Sequence, residues 1–234
     1  YGLYLVSRQL QHTGGVFSWP AIFNRTAMLF TLAVNTNIMI RSLALTFAFA
    51  FFTARSAAMG DDIVAANSIL MHLFTITAFF LDGFAFSAEA LAGQAVGARN
   101  RARFERAVRL SGMWGLAVAA FMSLAIFAGG GLFADLMTIS GQIRLLARQY
   151  LFWAAISPLT GIACFIYDGV FTGATRTADM RNMMLASLAV FLAAWWAFAP
   201  LWGNDGLWAA LNLFLIVRGI ALWARMPALR RALF

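Results

Sequence analysis

The sequence predicts an all-α membrane protein, a polytopic transmembrane bundle of six helical spans. Three observations predict it. Of 234 residues, 62% are hydrophobic and only 11% are charged, where a soluble domain carries about 25% charged residues. Six apolar stretches are each long enough to cross a bilayer core, which takes about 20 helical residues. The 17 basic residues are all arginine, and they crowd onto one side of those stretches. A water-soluble globule has no place for so much apolar surface, which excludes a cytosolic enzyme, a disordered chain and a secreted disulfide scaffold. Long unbroken apolar runs, rather than two-residue alternation, exclude a β-barrel. The single cysteine, Cys164, excludes an internal disulfide and a cysteine-based metal cluster.

The spans follow in order. Residues 1–20 are mixed, carry no signal-peptide pattern, and open on an apolar Tyr1–Val6 that reads as the tail of something longer. Span one runs from about Ala27 to Phe52, span two from Val64 to Gln94, and span three from Ser111 to Leu136. Span four runs from Tyr150 to Thr172, with Pro158 and Gly161 expected to bend it. Span five covers Met183 to Leu201, span six Gly206 to Met226. The connections are short: Gly60 to Asp62, Ala98 to Arg109, Ile139 to Arg148, Gly173 to Asn182 and Trp202 to Asp205. Such loops imply antiparallel neighbours in one bundle over 27–226, with 227–234 as a tail.

Arginines orient the bundle, because cytoplasmic loops carry the basic excess. Arg8, Arg25, Arg99, Arg101, Arg103, Arg106, Arg109, Arg176, Arg181, Arg225, Arg230 and Arg231 fall on one side, against Arg55, Arg144 and Arg148 on the other. Both ends are therefore expected in the cytoplasm. The same count disposes of nucleic acid as a partner: the net charge of +8 is an orientation signal, with membrane lipid as the neighbour.

Charge inside the membrane costs several kcal/mol, so it persists only with a partner, a water cavity or a function. Four such groups stand out: Arg41, Asp82, Asp168 and Arg218. At about 1.5 Å per residue, Arg41 lies near the midplane, Arg218 about 5 Å, Asp82 about 6 Å and Asp168 about 10 Å toward the cytoplasm. They sum to zero and are expected to pair across the bundle, at least one arginine with one aspartate. The carboxylates are the better functional candidates, because a buried carboxylate takes and releases a proton at accessible cost and an arginine does not. Asn37 shares a helix face with Arg41, and Glu89 with Asp82. Asn67, His72 and Tyr167 complete the polar candidates for a cavity lining. Some of Phe74, Phe79, Phe80, Phe84 and Phe86 could line a cavity for an apolar cation. Trp195, Trp196, Trp202 and Trp208 read as an interfacial belt.

Span two and its exit read Ala65-Ala66-Asn67, Leu81-Asp82-Gly83-Phe84-Ala85 and Glu89-Ala90-Leu91-Ala92-Gly93-Gln94-Ala95-Val96-Gly97-Ala98-Arg99. Asn37 to Ser42, Phe51 to Arg55, and Tyr167 to Thr175 with Met180-Arg181-Asn182 complete a pattern over about residues 24–182. This pattern resembles the multidrug and toxic compound extrusion (MATE) transporters, in their DinF-like branch. The resemblance implies a twelve-span fold of two six-helix lobes that exchanges an organic small-molecule substrate outward for H+ or Na+, without a further cofactor and in the bacterial inner membrane. This chain then resembles the C-terminal lobe, with 1–26 as the end of a preceding helix and the interlobe connection, and the N-terminal lobe as its partner. Other branches place cation-binding acids on the helices matching spans one and four. Asp168 matches on span four, whereas Arg41 occupies span one, which disfavours Na+ and favours H+. A lipid or lipid-linked-precursor flippase and a non-transporting membrane scaffold are the alternatives. An intramembrane enzyme lacks its parts, since His72 has no evident serine mate and there are two histidines in all.

Overall fold

The computed structural model describes residues 24–234. Tyr1–Thr36 and Asn37–Phe234 are two compact units, each taken by itself. In the first, the Asn24 side chain accepts from the Thr26 and Ala27 amides and caps the start of a helix. The residues expected to end a preceding helix, Tyr1–Val6, and most of the 1–26 segment lie outside the described residues.

The described chain is almost entirely helical: α1 (Arg25–Ala58), α2 (Asp61–Gly97), α3 (Arg101–Met137), α4 (Gly141–Gly173) and α5 (Thr177–Leu233). All five are long and apolar enough to cross a membrane. Six separate helices were expected. Five are found because the expected fifth and sixth spans fall within one helical stretch, α5, which is 57 residues long and broken by a kink at the predicted fifth connection. Its backbone leaves the helical region at Gly203, with φ 54° and ψ −122°. A straight helix would hold Asp179 and Arg225 about 69 Å apart, yet Arg225 donates to the Asp179 carboxylate at 2.7 Å. The arms 177–202 and 204–233 therefore run back along each other.

The expected connection from Ala98 to Arg109 is also shorter than predicted. α3 begins at Arg101, and the Asn100 side chain accepts from the Arg103 amide as its cap. Charge along 101–109 looks like a loop, but it sits on helix because the buried face is apolar, with Phe104 and Ala107 inward. α4 continues through Pro158.

Helix packing in a bilayer draws little on hydrophobicity and depends on close contact through small residues. α4 is the hub, packed against α2, α3 and α5. A Cβ at Gly169 or Gly173 would overlap the carbonyls of Ala85 or Glu89 on α2, and one at Gly93 would meet the Gly173 oxygen at 3.2 Å. On the other side, a Cβ at Gly219 of α5 would come 2.8 Å from the Ala163 side chain. Two large apolar clusters fill the bundle, one around Phe52, Leu70, Phe191, Trp208 and Phe214, the other around Leu81, Phe104, Ile166, Phe171 and Leu222. Outward faces are apolar too: Phe121, Leu124, Leu132 and Trp196 are exposed, as the lipid-facing side of a bundle requires and a soluble surface avoids.

Trp208 corrects the interfacial-belt reading. It is fully buried, edge-on to Phe52, and its indole N–H donates to Asn67 at 2.9 Å. Trp195 is half-buried under the Arg55 guanidinium, 4.5 Å from its ring. Trp196 and Trp202 are exposed.

Candidate functional site

Three helical stripes wall a cavity of about 560 Å³. α1 contributes Arg41, Leu45 and Phe49 at four-residue spacing. α2 contributes Met71, Phe74, Phe79, Asp82, Phe86 and Glu89, and α4 contributes Phe165, Asp168 and Thr172. Leu215 and Arg218 close it from α5. Its wall is therefore largely aromatic and aliphatic, with five charged groups set into it.

Those charges are unequally partnered. Asp168 accepts from Arg41 Nη1 at 2.9 Å and is in contact with Arg218 Nη2, both through the same carboxylate oxygen. The Arg218 side chain is 7% exposed and that of Asp168 13%. Two close-approach glycines build the pair. Gly169, next to Asp168, lets α4 meet α2, and Gly219, next to Arg218, lets α5 meet α4. Asp82 lines the same cavity, but no described cation lies within ion-pair distance of it. Arg41 keeps a buried Nε–H with no partner among the described residues. At least one arginine was expected to pair with one aspartate; both arginines share Asp168, and Asp82 has no ion-pair partner among the described residues.

The remaining candidates divide. Glu89 lines this cavity. Phe74, Phe79 and Phe86 line it, while Phe80 and Phe84 are not on its wall. Asn37 points instead to α5, where its oxygen accepts from Arg181 at 2.7 Å and its amide donates to Thr177 at 3.3 Å. Tyr167 turns away to pack on the second apolar cluster. His72 lies on a smaller cavity of about 260 Å³ beside Asn67, Ser68 and Thr75. Met71 and Thr75 line both cavities, so the two adjoin.

Asn67 is a buried junction. It donates to Ser56 and Asn204, both at 2.7 Å, and accepts from Asn204 at 3.0 Å and from Trp208 at 2.9 Å. Both its donors and both its acceptor positions are thereby used. Close by in sequence on α5, Asn212 accepts from Thr160 at 2.8 Å, and Trp153 donates to Asp205 at 2.7 Å. These bonds fix α1, α2 and α4 to the segment just after Gly203. Thr172, Phe165 and Leu215 were not among the candidates. The four-residue spacing from Asp168 to Thr172 was the available signal for one of them, while the other two look like ordinary core residues.

Comparison with known proteins follows the same lines. The MatE family model matches residues 38–196. The chain is 41% identical to DNA damage-inducible protein F of Escherichia coli over 215 residues, 89% of this chain and 45% of that protein. It is 28% identical to Protein DETOXIFICATION 43 of Arabidopsis thaliana over 193 residues, 81% of this chain and 36% of that one. The crystal structure of the Vibrio cholerae MATE transporter VcmN in its bent form superposes with a TM-score of 0.86 at 19% identity, over 99% of this chain and 53% of that one. The chain spans less than half the length of these two curated relatives. Family model, relatives and fold agree, and this multi-pass helical membrane chain belongs to the MatE family.

Proposed function

We propose that this chain is one lobe of a proton-coupled exporter of organic small molecules. The observation that carries the reading is the unequal pairing in the cavity: Asp168 is held by two arginines while Asp82 is unpaired on the same wall. The Asp168 carboxylate, engaged by two guanidinium groups, serves as a fixed counter-ion. Asp82 faces the same cavity with no described cation within ion-pair distance, which leaves its carboxylate open to exchange. Asp82 is the group that would exchange the coupling proton, and Glu89 lines its route along α2. The aromatic wall suits a flat apolar substrate. Na+ fits less well, because a cation beside Asp168 would face both guanidinium groups.

In this reading α5 crosses the membrane twice, turning at Gly203, so that six spans carry both ends to the cytoplasm, as the arginine distribution favours. The lobe works against a second, N-terminal lobe, in a bacterial inner membrane. A flippase for anionic lipid precursors is less well supported, since both cavity arginines are engaged by Asp168. The test is transport of a lipophilic cationic dye by the full-length protein in proteoliposomes. An imposed pH gradient drives it in this account and an imposed Na+ gradient does not. Transport driven by Na+ alone rejects the coupling assignment, and no transport under either gradient rejects the exporter reading.

A further inference from the structure

We propose that the arginine cleft between the start of α3 and the end of α5 is a headgroup site for an anionic phospholipid. Two adjoining cavities of about 460 Å³ each share Arg101, Arg231 and Phe234; Arg230 lines one of them and Arg99 the other. Glu105 engages Arg230 at 2.8 Å. No described carboxylate lies within ion-pair distance of Arg99, Arg101 or Arg231. Three uncompensated guanidinium groups around one opening repel each other, and an anion with several acceptor oxygens relieves that repulsion. A phosphodiester matches the planar fork of donors that each guanidinium presents.

Two further features select a lipid over free phosphate. Arg101 opens α3 and Arg231 lies in the last turn of α5, both helices long and apolar enough to cross a membrane, so the cleft lies at one end of two such helices, on the arginine-rich side. Anionic lipid of the cytoplasmic leaflet attracts basic segments next to a span. Pro227 and Phe234 add an apolar shelf beside the arginines, with the Phe234 ring 5.6 Å from that of Phe104. Arg106 and Arg109 offer an internal contrast: they are exposed on the same helix and carry the same charge, yet line neither cavity.

Native mass spectrometry of the purified protein with phosphatidylglycerol or phosphatidylcholine tests the assignment. Each arginine at such a surface contributes several-fold to anionic lipid affinity. R101Q/R231Q is therefore expected to lower phosphatidylglycerol affinity about tenfold or more, and by clearly more than R106Q/R109Q, whose arginines line neither cavity. Equal losses in the two pairs would mean diffuse attraction and overturn the site. Displacement of the lipid by millimolar inorganic phosphate, with no preference for phosphatidylglycerol over phosphatidylcholine, would overturn the choice of ligand. If R101Q/R231Q does not yield folded protein, R231Q alone, at an exposed position, is read the same way, with a loss of about threefold expected and no loss overturning the site.

Discussion

Arg218 and Asp168, 50 residues apart on α5 and α4, form the most buried ion pair among the described residues, and Arg41 shares the same carboxylate oxygen. Removing one partner of such a pair leaves an uncompensated buried charge, at a cost of about 3–5 kcal/mol. Asp168→Asn is expected to lose that much stability in an unfolding titration in mixed micelles, since it strands Arg218. Arg41→Gln loses less, because Arg218 still holds Asp168 and the Arg41 side chain is 24% exposed. Asp168→Asn combined with Arg218→Met recovers part of the loss, and simple additivity of the two would refute the pairing.

Gly169 and Gly173 make a separate prediction about packing. Their Cβ positions are occupied by backbone of α2, which moves only with the helix. Alanine at either site is expected to cost about 1–3 kcal/mol as an overpacked contact. Gly83→Ala is the contrast. Nothing lies within 4 Å of its Cβ position, so the helix gains alanine's propensity, up to about 1 kcal/mol. Thermal denaturation of the three variants should therefore give shifts of opposite sign.

The Asn67 junction predicts a loss from an uncharged change. Asn67→Leu leaves Ser56, Asn204 and the Trp208 indole N–H without the partner they share. A buried polar group left unsatisfied costs about 1–3 kcal/mol. The variant should melt well below wild type, and Trp208 fluorescence should shift as its hydrogen bond is lost. Unchanged melting and emission would show that the junction does not hold α5 to α2.

Gly203 should resist substitution for a conformational reason. Its φ of 54° with ψ of −122° is a glycine conformation. Nothing lies within 4 Å of its Cβ position, so the strain is the backbone's own. Gly203→Ala is expected to cost about 1–3 kcal/mol, read as a lower melting temperature. An unchanged melting temperature would mean that the turn between the two arms is made elsewhere.

How much of this could be read from the sequence depends on which quantity the sequence carries. Apolar run length carries span position, so the cores of α1 to α4 fall where expected. Run length does not tell charged helix from loop, and for that reason Arg101 to Arg109 was misplaced: only the inward Phe104 and Ala107 separate the two. Depth along a helix brought Arg41, Asp82, Asp168 and Arg218 into one slab. Rotation about each helix axis decides which carboxylate meets the arginines, and that is fixed by Gly169 and Gly219 at crossings between helices far apart in sequence. A tryptophan near a predicted interface looks the same whether it faces lipid or, like Trp208, donates inward to Asn67.

The most direct test of the central claim, that Asp82 exchanges the proton while Asp168 stays clamped, is dye transport by full-length Asp82→Asn in proteoliposomes under two regimes. Under an imposed pH gradient, the account predicts that uphill transport is lost. In dye counterflow without a gradient, which needs a folded cavity but no proton, it predicts that exchange persists. Wild-type uphill transport by Asp82→Asn would contradict the account.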